Sequence, residues 1–346
     1  MNTPSRKNLP RLFFFLAAVL ILVKVIRDQN KEIVLNEIAG QTMGTIPYHI
    51  KYKTKGERDY KPSIDSLLVA FNQSLSTYLP ASEISRFNRA DTLVFESSLF
   101  YPVLSKSRHV YEATGGAFDP TIGPLVNAWG FGPEKDVHFL SQEQIDSLLL
   151  LVDFSKITFS QSHAIKPSGM YLDFSAIAKG YAIDLVGNFL RKQGVQDFMV
   201  EIGGEVIASG VNEKGSVWNI GIEDPLVKRE EQKLFAIVRL ENRAVATSGN
   251  YRNYFERDGR IYAHIIDPRT GYTSEQSILS ASVFAADCMT ADAYATAFMV
   301  LGVEEAMKIV EQDAGLEAMF IYRGAEKEEV AISSGMKNNI TLLEGN

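Results

Sequence analysis

Six stretches in which apolar and polar residues alternate, PYHIKYK, FMVEI, WNIGIED, LFAIVRL, RIYAHIID and ILSASVFA, constrain this chain more than any other feature. Alternation at period two places every second side chain on one face of a sheet, so each stretch reads as a strand. Five of the six lie beyond residue 197 and do not alternate regularly with helices. Helical patterns fall at residues 62–77, 99–113, 175–193, 291–300 and 303–313. Strands in succession argue against a doubly wound parallel sheet and for an α+β fold. The Gly-rich fingerprint of a dinucleotide-binding βαβ unit is also missing from the sequence.

No internal repeat, low-complexity tract or Pro/Gly-rich linker interrupts the chain after residue 35, so one contiguous domain over 35–346 is expected. With 46% hydrophobic residues in 346, that domain has material for a full core. A net charge of -7 with scattered Lys and Arg offers no basic stripe, which excludes nucleic acid as a partner. Cys288 is the only cysteine, so no intrachain disulfide and no cysteine-based zinc site can form.

Residues 1–30 have a different character. Arg6, Lys7 and Arg11 precede the apolar run LFFFLAAVLILV, and Lys24 and Arg27 follow it. This is a targeting or anchoring segment. A cleaved signal needs small residues at the cleavage site, and KVIRDQNKEIVLNEI provides no such pair, which favours an uncleaved anchor. With the basic flank on the cytoplasmic side, the folded part is expected outside the inner membrane, in the periplasm.

Several stretches carry polar residues that invite a chemical reading. ATGGAFDPTIGPLVNAWGFG, residues 113–132, follows a helix ending near Gly115 and is too dense in Gly, Pro and aromatics for a regular element. Asp119 either caps a short helix starting at Pro120, or the Gly-Gly backbone lets a planar ligand approach. In YLDFSAIAKGYAID, residues 171–184, Ser175 reads as an N-cap, Asp173 sits at the mouth of the helix, and Lys179 could reach an anion held at its N-terminus. Ordinary capping and a solvated lysine are the structural alternative. VEIGGEV and AVATSGNY end strands in glycine, which marks a bulge as often as a ligand contact. YAHIIDPRTG places His264 among apolar residues, where a hydrogen-bonded core histidine is the ordinary outcome. In ADAYATAFMVLG, Asp292 and Thr296 stand four residues apart on one helix face. A hard divalent cation takes such oxygen donors, together with substrate phosphates.

Taken in order, MGT at 43–45, LSTYLPASEISRFN, GGAFDPTIGPLVNAWGFG, YLDFSAIAKGYAID, EIGGE, ATSGNY, HIIDPRTG and ADAYATAFMVLG resemble the ApbE family, the FAD:protein FMN transferases. The resemblance implies a single mixed α/β catalytic domain of T-fold-like type. It also implies FAD as substrate, Mg²⁺ as cofactor, and transfer of the FMN half of FAD to a threonine or serine of an acceptor flavoprotein, with release of AMP. Acceptors of that kind are subunits of membrane redox complexes, of the sodium-pumping NADH:quinone reductase or RNF type. Carried across residue by residue, Met43 and Tyr78 are expected to contact the flavin or adenine rings, and Ala117, Phe118 and Asp119 to line the FAD pocket. Asp173, Lys179 and Ile266 match cofactor-binding positions. The carbonyl of Ala176, with Asp292 and Thr296, is expected to hold the metal. Some relatives carry a second aspartate where this chain has Ala295, and some carry glutamate in place of Lys179.

His264 is the candidate base for the acceptor hydroxyl, with Asp292 as its rival. Two other functions use the same pocket. A pyrophosphatase would give water the role of the acceptor, producing FMN and AMP, and a non-catalytic extracytoplasmic protein would bind FAD alone.

Overall fold

The computed structural model describes residues 13–14, 16–17, 19, 32–132, 140–227, 233–249, 254–257, 260–274 and 277–343, and for 254–257 and 260–263 the backbone alone. The apolar run expected to form an anchor lies mostly outside the described residues. Among the described residues no helix is long and apolar enough to cross a membrane.

Eight strands build the central sheet: β1 (Ile33–Thr42), β2 (Ile46–Lys55), β3 (Phe198–Ile202), β4 (Glu205–Ser209), β5 (Ala244–Gly249), β6 (Ile278–Ala285), β7 (Glu317–Arg323) and β8 (Glu328–Ile332). Their order across the sheet follows the chain, and each neighbouring pair is antiparallel. This is the α+β arrangement that the strand succession predicts. Only β2, β3 and β6 come from the six alternating stretches; β1, β4, β5, β7 and β8 do not. Four consecutive residues of β7, Ala318 to Ile321, are buried, so it reads as an apolar run rather than as an alternation.

The two faces of the sheet feed two cores. Ala246, Val283 and Phe320 point into the main core, beneath the helices. Their neighbours Val245, Phe284 and Met319 point the other way, onto a three-stranded sheet of Trp218–Glu223, Leu234–Leu240 and Ile340–Leu342. Period-two alternation thus makes three layers: helices, central sheet and small sheet.

Four helices form most of the helical layer: α1 (Lys61–Leu75), α2 (Phe100–Ala113), α3 (Ala178–Lys192) and α4 (Cys288–Leu301). α3 and α4 pack against each other and on the sheet, α3 over β3 and β4, α4 over β5 and β6. Eleven of the 14 residues of α4 are buried, so any polar group it carries must find partners inside the protein. Its N-terminus is capped twice. Asp287 accepts from the backbone N–H of Thr290 at 2.8 Å, and Asp184 of α3 accepts from the N–H groups of Cys288 and Met289 at 2.8 Å each. At Gly180 the helices come closest: a Cβ there would lie 2.2 Å from the carbonyl oxygen of Cys288. Only glycine permits that approach.

Three local expectations need correction. α3 starts at Ala178 and Ser175 does not cap it; instead Asp173 accepts from the N–H of Ser175 at 2.8 Å, so an aspartate-led turn precedes the helix. The helix expected at Pro120 begins at Gly123. The strand read through RIYAHIID stops at Ala263, which leaves His264 in the following connection.

Candidate active site

Loops at the entry to α3, the loop after α2, the connection after Ala263 and one face of α4 enclose a cavity of about 300 Å³. Ten of the residues predicted for the site line it: Ala117, Phe118 and Asp119; Asp173, Ala176 and Lys179; His264 and Ile266; Asp292 and Thr296. Met43 and Tyr78 do not. Met43 sits at φ 48° in the turn between β1 and β2 and packs on the main core. Tyr78 is 68% exposed, and desolvation and then the Asp173 charge raise its phenol pKa.

The two loops at the α3 end are fastened to each other. Asp173 donates its N–H to the carbonyl of Pro120 at 2.7 Å, and Ile122 bridges Tyr171 in parallel. Asp119 organises its own loop, with one carboxylate oxygen accepting from the N–H and hydroxyl of Thr121 at 2.7 and 2.6 Å, the other from the N–H of Phe154 at 3.0 Å. Burial raises its pKa against those bonds. Asp119 therefore shapes the wall of the cavity. Gly115 and Gly116 terminate α2 where the sequence places the end of that helix, with the Gly116 N–H returning to the carbonyl of Tyr111 at 2.9 Å.

The first turn of α3 is not an open anion site. Ala178 N–H is bonded to the Phe174 carbonyl at 2.8 Å, and Gly180 N–H donates to Oδ2 of Asp292 at 2.9 Å. Lys179 does not stand in solvent either, because its Nζ lies 2.5 Å from Oε1 of Glu205. Asp292 and Glu205 are 5% and 2% exposed. Burial raises both carboxyl pKa values, that of Glu205 to about 7, while Lys179 pulls each down and the Asp292 charge pushes Glu205 further up. One ammonium thus serves two buried carboxyl groups.

Thr296 lies one turn beyond Asp292, its hydroxyl 3.2 Å from that of Ser248 at the end of β5. Among the described residues no cluster of three or more His, Cys, Asp or Glu is placed to hold a metal. Around Asp292 and Thr296 the candidate donors are the Asp292 carboxylate, the Thr296 and Ser248 hydroxyls and, as the resemblance implies, the Ala176 carbonyl. These are hard oxygens, which fit Mg²⁺ completed by substrate phosphates and do not fit a softer metal. A further oxygen, Oε2 of Glu205, is buried without a hydrogen-bond partner, as expected of an acceptor that faces a cation.

The model of the ApbE family matches residues 43–320, which takes in every one of these residues. The chain belongs to the ApbE family. It is 38% identical over 305 residues to an FAD:protein FMN transferase of Vibrio cholerae, covering 86% of this chain and 90% of that one. It is also 38% identical over 303 residues to the FAD:protein FMN transferase of Haemophilus influenzae, covering 82% and 86%. Among solved structures, the flavin transferase ApbE from Vibrio cholerae superimposes with a TM-score of 0.80 at 34% identity, over 89% of this chain and all of that one. The apo form of a Pseudomonas stutzeri flavinyl transferase ApbE gives 0.79 at 32% identity, over 89% and 97%. The mixed α/β fold is that of the ApbE structures.

Sequence reasoning did not single out Glu205 or Ser248 at this ApbE site. Both stand in stretches it recognised, EIGGE and ATSGNY. Which side chain of each stretch faces α3 and α4 is decided by strand pairing.

Proposed function

We propose that this chain transfers the FMN half of FAD to a threonine or serine hydroxyl of an acceptor flavoprotein, in a Mg²⁺-dependent reaction that releases AMP. One observation carries the reading: Asp292, Thr296 and Ala176 converge with Asp173 and the 117–119 loop on one cavity, in a chain whose relatives are named flavin transferases. When bound beside Asp292, Mg²⁺ would supply the positive charge that makes a pyrophosphate phosphorus open to attack.

The residues of the chain do the rest. Gly180 fixes the rotamer of Asp292 through its N–H, and Ser248 orients the Thr296 hydroxyl. The acceptor hydroxyl oxygen forms a bond to the phosphorus of the FMN half as the bond from that phosphorus to the bridging oxygen breaks, in line, and AMP leaves. His264, which lines the cavity from a connecting segment, takes the hydroxyl proton. Asp292 is the weaker base candidate because its carboxylate is already bonded to Gly180 and lies within the field of Lys179.

The segment 1–30 would anchor the protein in the inner membrane and hold the catalytic domain on the periplasmic side. The order of charges supports this, since Arg6, Lys7 and Arg11 precede the apolar run. Flavin-carrying subunits of membrane redox complexes, of the sodium-pumping NADH:quinone reductase or RNF type, would then be within reach as acceptors.

The test is to incubate the full chain in detergent with FAD, Mg²⁺ and such an acceptor domain, following acceptor mass and AMP together. The acceptor should gain the mass of FMN less water, with AMP released in equal amount. Free FMN and AMP beside unmodified acceptors would replace this reading with the pyrophosphatase. FAD bound without AMP would replace it with the carrier.

A further inference from the structure

Among the described residues, five buried side-chain polar atoms have no hydrogen-bond partner: Asn72 Oδ1, Arg86 Nε, Ser107 Oγ, Ser280 Oγ and Glu205 Oε2. Only the last is a carboxylate oxygen, and only Glu205 lines the cavity. Leaving an anionic oxygen buried and unpaired is costly, more so than leaving a hydroxyl or amide oxygen unpaired. It is answered either by a proton, toward which burial already pushes Glu205, or by a cation from outside the chain.

The position of Glu205 follows from the fold. Gly203 and Gly204, at φ 63° and 105°, make the two-residue turn between β3 and β4, and Glu205 is the first residue after it, paired with Ile202. Strand alternation then places Glu205 with Ile207 on the helix-covered face, while Val206 and Ala208 point to the second core. The turn also leaves room for the pair above it. A Cβ on Gly203 would lie 3.3 Å from Cδ of Lys179 and 2.7 Å from Ile46. So β4 delivers a carboxylate to the underside of α3, beside Asp292, with a single lysine between them.

We infer that Glu205 is a further residue of the cation seat: Oε1 holds Lys179, and Oε2 is directed at the divalent cation that Asp292 and Thr296 bind. The inference rests on the metal-dependent reading proposed above and adds a second carboxylate to its metal site. Lys179 neutralises one of the two acids, and the cation answers the charge that remains. Lys179 is in consequence a positioning residue for Glu205 rather than a phosphate contact.

Mn²⁺ serves as the probe, with FAD present and no acceptor, and free Mn²⁺ read by EPR against a blank of FAD alone. Full-length wild type is compared with Glu205→Gln, Asp292→Asn, Lys179→Gln and the Lys179→Gln/Glu205→Gln pair, each checked for folding by circular dichroism. Glu205→Gln should weaken Mn²⁺ binding by about 10- to 100-fold, and should do so again in the Lys179→Gln background. Unchanged affinity in Glu205→Gln, or a loss that disappears once Lys179 is gone, overturns the inference and leaves Glu205 as the partner of Lys179 alone. If wild type and Asp292→Asn bind Mn²⁺ alike, the cation seat fails altogether, and the metal in the proposed function fails with it. Should Glu205→Gln not fold, Glu205→Asp, which keeps the charge and withdraws the oxygen, takes its place with the same two outcomes.

Discussion

The backbone N–H of Gly180 donates to Oδ2 of Asp292 across 2.9 Å, tying the first turn of α3 to the second turn of α4 where the two helices come closest. A single contact thus sets both the helix crossing and the orientation of the proposed metal-binding carboxylate. Gly180→Ala puts a methyl group 2.2 Å from the Cys288 carbonyl oxygen and 2.8 Å from the Met289 nitrogen, so the helices must separate. We expect a destabilisation of about 1–3 kcal/mol by chemical denaturation. Transfer should fall by about 100-fold, because Asp292 moves with its helix. Wild-type activity in this variant would show that the crossing does not position Asp292.

Asp292→Asn keeps the shape and one acceptor oxygen for the Gly180 N–H but removes the negative charge. Transfer should fall by at least about 100-fold, and the concentration of Mg²⁺ needed for half-maximal rate should rise. Thermal unfolding should change little or move upward, since the variant removes a charge that burial disfavours. A rate loss that saturating Mg²⁺ fully restores would be consistent with this role; an unchanged Mg²⁺ requirement would not.

His264→Gln should lower the maximal transfer rate by about 100- to 10,000-fold while FAD affinity, measured by quenching of flavin fluorescence, stays within a few fold. If FAD affinity collapses and the rate at saturation survives, His264 binds cofactor instead of moving a proton.

Asp184 holds the first two N–H groups of α4, and burial raises its carboxyl pKa to about 7, far above the ordinary value of 3.8. A carboxyl with a raised folded-state pKa stabilises the fold most below its unfolded pKa and loses that contribution as pH rises through the folded one. The stability lost on Asp184→Asn should therefore be larger at pH 5 than at pH 8. Urea denaturation of both proteins at the two pH values measures the difference. A cost that grows with pH would mean that the ionised carboxylate is the better cap.

Much of the fold is legible in residue order. FMVEI, LFAIVRL and ILSASVFA coincide with strands at both ends because their alternation reports directly on the two faces of a sheet. Asp292 and Thr296 were equally legible, since four residues of α-helix fix them on one face without help from the rest of the chain. The start of α3 was not. Ser175 has the chemistry of an N-cap, but Asp173 takes the turn first and pushes the helix to Ala178.

The sequence by itself determined the α+β character, the pair of oxygen donors on α4 and the family, because strand period, helix spacing and collinear motifs are local properties of the chain. Tertiary structure alone decided that Lys179 meets Glu205, that Asp184 caps a helix beginning at Cys288, and that Gly180 bonds Asp292. Those partners come from separate elements, and no periodicity relates them. They meet because α3 and α4 cross at a glycine above β4, where burial makes each polar group depend on whichever partner the packing brings within reach.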